Sequence, residues 1–411
     1  MECAASNLQE ERSSMDRATI SVYFTYAMQA AAQAISWQFV TFFVKHDLNA
    51  PGFLELTIIW SLPAIVVMVM SNFWGWLSDR LRRRKVFMLI GFTGYAVTFL
   101  LYSFVSTSTQ YLLIAVVGAV FYSSALPAGQ AHLTTATDKK GERLGYFVAA
   151  QSGGWFLGAF MSGLLYDYIG MFTLYRIAAV MSIVAMVSCL VLIRDIPFLP
   201  RDETLPKTGF GDLLRRPGMS RLTLAVTLSQ IGMNSVAFLL AIILVDELAG
   251  TTTFVGIANS AATIVALLTT GYIGKIVDRR GPVKILIVAY LSYTLFAAAF
   301  AMVTSPIVAT ILWALPIYPF SSTATTALAA VISGEDERGR AMALVYGAQN
   351  AGGAIGPVVG GLLAEYVFFM AQPISWLNMI CNLMALALAG SLLGVGRRRQ
   401  SERVAAESSE S

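Results

Sequence analysis

The chain has 411 residues, of which 56% are hydrophobic and only 13% are charged, and its net charge is +4. Because a soluble domain carries about 25% charged residues, this composition excludes a water-soluble globule and favours helices that span a lipid bilayer. The basic residues are not interleaved with aromatic ones, so no nucleic acid partner is expected. The three cysteines are far apart and the two histidines are isolated, which predicts neither a disulfide framework nor a metal site.

Apolar runs predict an all-α integral membrane protein with twelve transmembrane helices. A polar connection with four prolines, 194–218, predicts a linker between two six-helix bundles at 18–193 and 219–395. Tails at 1–17 and 396–411 flank the bundles. The predicted spans are 18–44, 53–78, 86–106, 109–133, 144–168, 172–193, 219–247, 253–277, 283–304, 306–332, 341–367 and 373–395.

The basic residues indicate the orientation of the spans. Of the 28 Lys and Arg residues, only Lys45 and Arg176 fall on the side opposite to the termini. Since Lys and Arg concentrate in cytoplasmic connections, both termini are predicted to be cytoplasmic, in a multi-pass protein of the inner or plasma membrane. Segment 1–17 lacks the apolar core of a secretory signal, so we interpret it as a cytoplasmic tail.

The two halves of the chain resemble each other at an offset of 198 or 199 residues. QSGGWFLGAFMSGLLYDY, from Gln151, aligns with QNAGGAIGPVVGGLLAEY, from Gln349. Two parallel six-span repeats are typical of transporters with a substrate site between the halves. After the second and eighth spans the same charged motif recurs, in which Gly75, Asp79 and Arg80 align with Gly274, Asp278 and Arg279.

The stretch GWLSDRLRRRK resembles the loop signature G-x-x-x-D-R/K-x-G-R-R/K of the major facilitator superfamily. The matching positions are Gly75, Asp79, Arg80, Arg83 and Arg84, whereas Arg82 replaces the second glycine. The resemblance implies an inner gate, in which the acid accepts hydrogen bonds from a neighbouring helix N-terminus and the arginines pair with acids of the opposite half. Candidate partners for the arginines precede the eleventh span: Glu335, Asp336 and Glu337.

A glycine motif in the eleventh span resembles that of drug-proton antiporters, where it belongs to the fifth span. The fifth span has a weaker version without proline. Small residues at every fourth position predict close helix packing, and the proline predicts a kink. The motif GGAIGPVVGG places Gly352, Gly356, Pro357, Gly360 and Gly361 in this packing role.

Polar and aromatic residues follow one face of the first span and one face of the seventh. Amides facing lipid are unfavourable, so both faces are predicted to point inward. They either line a substrate cavity or bond neighbouring helices. The residues predicted to line the cavity are Tyr26, Gln29, Gln33 and Trp37, with Gln230, Asn234 and Phe238 at the same spacing, and Tyr122 and Tyr318.

No acid lies in the middle of a span, although proton-driven carriers usually need a buried one. Asp167, Asp246 and Glu365, near the outer span ends, are the candidate proton-coupling residues, and solvated helix ends are their alternative interpretation.

The functional hypothesis is a monomeric secondary carrier that moves a small organic molecule by alternating access. Proton-coupled efflux of amphipathic compounds is our first choice. Uptake or facilitated transport of a neutral polar solute, such as a sugar, is the alternative, and a non-transporting receptor or scaffold is an alternative of another class. No cluster of residues has the spacing for catalysis, so neither an enzyme nor a cofactor is predicted.

Overall fold

The computed structural model describes residues 2–50, 52–81, 83–134, 140–195, 210–333 and 337–393, and none of these lies in a β-strand. The chain folds into two compact units. The first contains Met1–Pro51, Ile58–Asp202 and Thr252–Ile264, and the second contains Gly52–Thr57, Glu203–Thr251 and Val265–Ser411.

The helices in the first half of the chain are separated by short connections. They are α1 (Glu2–Trp37), α2 (Val40–His46), α3 (Phe53–Leu81), α4 (Arg84–Tyr102), α5 (Ser108–Tyr122), α6 (Ala125–Thr134) and α7 (Lys140–Leu192).

The second half begins with the short helix α8 and includes two π-helical turns, Ile243–Glu247 and Ala364–Phe368. Its α-helices are α8 (Phe210–Leu214), α9 (Met219–Ala237), α10 (Leu240–Ile242), α11 (Thr252–Arg280), α12 (Pro282–Met302), α13 (Pro306–Trp313), α14 (Ile317–Ile332), α15 (Arg338–Leu363) and α16 (Ser375–Gly390).

Nine helical segments of the described chain are long and apolar enough to cross a membrane. A tenth is formed by α9 and the helix after it, which meet at a bend of 46°. Helix α7 holds two of the predicted spans, on either side of Gly170, whose φ of 71° interrupts the helix. The predicted first span, 18–44, is divided between α1 and α2. The predicted all-α membrane class is confirmed.

The predicted repeat is visible in the backbone of the two halves. Helix α1 stops at a turn where the Phe39 N–H donates to the Ser36 carbonyl, and α9 stops where the Leu239 N–H donates to the Val236 carbonyl. A residue with positive φ follows shortly after the end of each of the next helical segments, Asn49 in the first half and Ala249 in the second. These corresponding features lie 200 residues apart.

Glycines make close helix contacts in both units. In the second unit, a Cβ added at Gly352 would lie 2.6 Å from the Thr227 carbonyl oxygen, and one added at Gly356 would lie 2.6 Å from that of Ile231. In the first unit, Gly154 and Gly158 of α7 lie in the same way against backbone carbonyls of α1. Because helices in lipid associate through close packing rather than through a hydrophobic driving force, these contacts fix α7 on α1 and α15 on α9.

Replacement of Gly356 by Ala tests this packing. The new methyl group would overlap the Ile231 carbonyl, so α15 must shift, and overpacking of this kind costs roughly 1–3 kcal/mol. We expect a melting temperature several degrees below that of the wild type, measured on detergent-purified protein.

Gly347→Ala is the matched control, since it lies on the same helix and a Cβ there meets nothing within 4 Å. Alanine also favours a helix by about 1 kcal/mol over glycine, so Gly347→Ala should melt at or above the wild-type temperature. Equal losses in both variants would contradict the assigned contact.

Candidate functional site

A cavity of about 280 Å³ lies among three helices of the first unit. Small side chains of α1 and α7 leave the space open, and a tryptophan of α7 forms part of the wall. The lining residues are Ala30 and Gln33 of α1, Val148, Gln151, Ser152 and Trp155 of α7, and Thr263 of α11.

The polar groups of this cavity are amides, hydroxyls and an indole, and none of the seven lining side chains carries a charge. Thr263 donates its hydroxyl to the Asn259 carbonyl of its own helix, at 2.8 Å. Gln33 and Gln151 are half-buried, and within the described part of the chain neither amide is bonded to a protein group. These two amides are therefore free to bond a solute or water.

A hydrogen-bonded network ties α11 to the same unit. The Gln38 amide, in the turn after α1, donates to the Ala159 carbonyl at 2.7 Å and also to the Ser162 hydroxyl. Asn259 of α11 donates to the Gln38 side-chain oxygen at 3.1 Å, and the Ser260 hydroxyl donates to the Phe156 carbonyl at 3.3 Å. Sequence reasoning missed Gln38 and Asn259, because the turn at the end of α1 takes Gln38 off the predicted polar face.

Gln33 lines this cavity, and it is the one residue of the first half for which the predicted position in a cavity agrees with the structure. Tyr26 donates its hydroxyl to the Ala125 carbonyl and packs inside the bundle. Gln29 is 1% exposed, and its amide has no hydrogen-bond partner among the described residues. Trp37 lies against Trp60, with ring centroids 4.5 Å apart.

The remaining predicted cavity residues lie elsewhere. Tyr122 stacks on Tyr95 at a centroid distance of 4.5 Å. In the second unit, the Asn234 amide donates to the Gln230 side-chain oxygen at 3.0 Å, Phe238 is buried and Tyr318 is exposed.

The polar faces of α1 and α9 do not correspond as the sequence suggested. The equal spacing aligned Gln33 with Asn234, at an offset of 201. The helix breaks and the glycine contacts set the offset at 200, so Gln33 corresponds to Met233 and Asn234 to Ala34. A difference of one residue in the alignment rotates one polar face by about 100° relative to the other. The sequence does not reveal the difference, because apolar helix sequences align almost equally well at either offset. The packing of the helices allows only one.

The first turn of α3 is held within the second unit. The Phe53 N–H donates to the Glu365 carboxylate at 2.6 Å, and the Thr57 hydroxyl donates to the Pro357 carbonyl at 3.3 Å. Gly361 faces Thr57 so closely that a Cβ there would overlap the hydroxyl. A carboxylate beside the first N–H groups of a helix also interacts favourably with the helix dipole, so Glu365 stabilises this end of α3.

The first turn of α11 is held in the corresponding way within the first unit. The Thr252 hydroxyl donates to the Gly163 carbonyl at 3.2 Å, and Gly163 lies against Gly256 with no side chain between them.

Asp167 and Asp246, two of the predicted proton-coupling acids, are exposed.

Two further carboxylates, near the ends of spans predicted to face outward, were not among the predicted coupling residues. Glu247 accepts hydrogen bonds from the backbone N–H groups of Ala371 and Gln372, at 2.5 and 2.7 Å. Asp47 accepts a hydrogen bond from the Tyr166 hydroxyl at 3.0 Å, and desolvation raises the pKa of Asp47 above its ordinary value. The sequence carries no signal for either pairing, because the partners lie more than 100 residues away.

The predicted inner-gate motif lies at the ends of α3 and α11. A Cβ added at Gly75 or Gly274 would meet nothing within 4 Å, so these two glycines make no close helix contact in this structure. The Arg80 guanidinium lies over the Trp76 ring at 5.4 Å, and Arg84 donates to the Ser78 hydroxyl at 2.9 Å.

Several other members of the motif are exposed or lie outside the described residues. The exposed ones are Arg83, Asp278 and Arg279. The side chain of Asp79 lies outside the described residues, as do Glu335 and Asp336. Glu337, the third predicted gate partner, pairs with Arg216 of the second unit at 2.5 Å.

Polar side chains among apolar helices are stabilised when they face a cavity that water or a solute from water can occupy. Together with the repeated helix breaks, this arrangement is that of a multi-pass membrane protein built from two related halves. A family model described as the Major Facilitator Superfamily matches residues 22–329 and 222–410. The chain belongs to this superfamily, whose members are non-enzymatic transporters.

Curated relatives include proteins named "Multidrug resistance protein MdtG". The one from Klebsiella pneumoniae (strain 342) is 26% identical over 293 residues, covering 68% of this chain and 70% of the relative. The one from Salmonella choleraesuis (strain SC-B67) is 29% identical over 296 residues, covering 68% and 71%.

Solved structures with the same fold include the nucleoside transporter NupG, with a TM-score of 0.74 at 15% identity, covering 92% of this chain and 98% of that one. A bacterial homologue of the human lysosomal transporter Spinster, in an inward-facing and unoccupied conformation, has a TM-score of 0.71 at 13% identity, covering 94% and 96%. Similarity at this level of identity shows the fold.

Substitution of Glu365 tests its role at the start of α3. Glu365→Ala removes both the charge and the hydrogen-bond acceptor for the Phe53 N–H, and loss of such a cap costs about 0.5–2 kcal/mol. Glu365→Gln keeps an acceptor oxygen and loses only the charge. We expect the melting temperature to fall most in the Ala variant and less in the Gln variant. Asp167→Ala, at an exposed carboxylate, is the control and should melt like the wild type.

Proposed function

We propose that the protein is a secondary carrier that exports small amphipathic organic compounds across the inner or plasma membrane, driven by protons. The observation that supports this most directly is the cavity of the first unit, which combines an indole and aliphatic side chains with two amides that bond no protein group in the described part of the chain. Such a lining suits molecules that are partly apolar. The relatives named multidrug resistance proteins support efflux rather than uptake.

The proposed mechanism is alternating access by a monomer whose termini are cytoplasmic. Helix α3 contributes its first turn to the second unit and the rest of its length to the first, whereas α11 contributes Thr252–Ile264 to the first unit and the rest of its length to the second. The starts of both helices are held by a few hydrogen bonds and by glycine contacts at Gly361 and Gly163. Contacts of this kind can separate and form again, and a substrate drives the exchange if it binds the two states with different affinities.

The proton is proposed to act at the outer carboxylates, since the cavity lining has none. Glu365 remains a coupling candidate, because its bond to the Phe53 N–H joins a titratable group to the first turn of α3. Asp47 joins it as a candidate, because a raised pKa favours proton uptake closer to neutral pH. Asp167 and Asp246 are exposed, so Glu365 and Asp47 are the preferred candidates.

The alternative is facilitated transport of a neutral polar solute, without a coupling ion. The uncharged lining of the cavity favours it, because a bound neutral solute needs no counter-charge.

An efflux assay separates the two functions. Cells of a host that lacks its main efflux pumps are loaded with a fluorescent amphipathic dye, and energised release is followed with and without the protein. The proposal expects faster release that a protonophore abolishes. If the dye instead enters and leaves the cells faster and the protonophore has no effect, the result would favour facilitated transport. Release no faster than in cells with the empty vector would contradict both proposed functions.

Asp79→Asn tests the inner-gate motif, whose role rests on the sequence resemblance. We expect the initial rate of transport to fall by about tenfold or more, which corresponds to about 1.4 kcal/mol, while substrate binding and the melting temperature stay near wild type. Asp278→Asn, at the equivalent position of the degenerate second copy, is the matched control and should lose less activity. An unchanged rate in Asp79→Asn would remove this residue from the gate.

A further inference from the structure

The cavity of the first unit has two amide side chains that make no hydrogen bond to any other described residue. Gln33 and Gln151 come from different helices and line the same space, and each amide offers a donor and an acceptor. Leaving a polar group unpaired on ligand binding costs about 1–3 kcal/mol. A solute that displaces water here must therefore present both an acceptor and a donor.

The same cavity offers one flat apolar surface. Trp155 is the aromatic member of the lining, and Ala30 and Val148 are small. Aromatic rings favour stacked or edge-on contacts with an indole. The space beside the indole has a volume of about 280 Å³ and is open on one side, so the wall favours a solute with a flat ring and sets no limit on its length.

The lining also lacks any group to balance a charge. An ion that enters this site finds no counter-charge, and the cation–π contact that the Trp155 indole offers, worth about 0.5–2 kcal/mol, is smaller than the cost of removing an ion from water. Neither carboxylates nor basic groups are among the seven lining side chains, so charged molecules bind at a disadvantage.

We propose that this cavity binds an uncharged, planar solute with an adjoining hydrogen-bond donor and acceptor, such as an aromatic amide, and discriminates against organic cations. Gln33 and Gln151 form hydrogen bonds with the polar edge of the solute, and Trp155 contacts its ring. This inference rests on the proposed function, and it narrows the substrate class from amphipathic compounds in general to neutral aromatic ones.

Three related compounds serve as probes: nicotinamide, its neutral methyl derivative 6-methylnicotinamide, and the cation 1-methylnicotinamide. The last two have the same size and differ in charge. Binding is measured by calorimetry on the full-length protein in lipid nanodiscs. We expect millimolar or tighter binding of both neutral compounds and binding of the cation that is weaker by about tenfold or more.

Variants assign the effect to the cavity. Gln33→Leu and Gln151→Leu keep the approximate side-chain size, and each should weaken nicotinamide binding by about tenfold. Gln349→Leu, at the position equivalent to Gln151 in the second half, should bind like the wild type. Gln33→Glu adds a counter-charge and should shift the preference towards 1-methylnicotinamide.

Several results would overturn the proposal. They are no binding of the neutral probes at millimolar concentration, equal or tighter binding of the cation by the wild type, or unchanged binding in folded Gln33→Leu and Gln151→Leu. Failure of the export function is a separate result, because it would show as no dye release in cells whether or not the neutral probes bind. A protein that exports dye but binds the cation best would remain a carrier and refute this inference alone.

Discussion

Close packing of glycines against backbone carbonyl groups is the constraint on which both units depend. Gly154 and Gly158 place α7 on α1, and Gly352 and Gly356 place α15 on α9. Because lipid provides no hydrophobic drive for helices to associate, van der Waals contact at these points carries much of the cohesion. Any larger side chain there would move a whole helix rather than fill a gap.

The cavity is a consequence of the same packing. Helix α7 turns its glycines towards α1, so Gln151 and Trp155, which lie within one turn of Gly154, come to border the space beside Gln33. Amides in that position are unfavourable in lipid but useful beside a hydrated space. Neither amide is bonded to a protein group among the residues that the structure describes, and this supports the proposed binding of a solute.

The two halves share a backbone plan but not a site. The helix breaks after α1 and α9 correspond at an offset of 200, and the first turns of α3 and α11 are held in corresponding ways. Their side chains differ, since the position equivalent to Trp155 is Gly353. The duplicated plan therefore supports symmetrical helix contacts, while the second half repeats Gln151 as Gln349 but does not repeat Gln33 or Trp155.

The sequence by itself determined the membrane class, the approximate span positions, the repeat and the family, because hydropathy, charge asymmetry and spaced glycines are properties of neighbouring residues. It also indicated Gln33. Only the tertiary structure decided that Gln33 shares a cavity with Gln151 and Trp155, that Gln38 bonds Asn259, and that Glu365 holds the start of α3. The physical reason is that these contacts join residues more than 100 positions apart, and helix rotation, which a one-residue slip changes by about 100°, is fixed by packing alone.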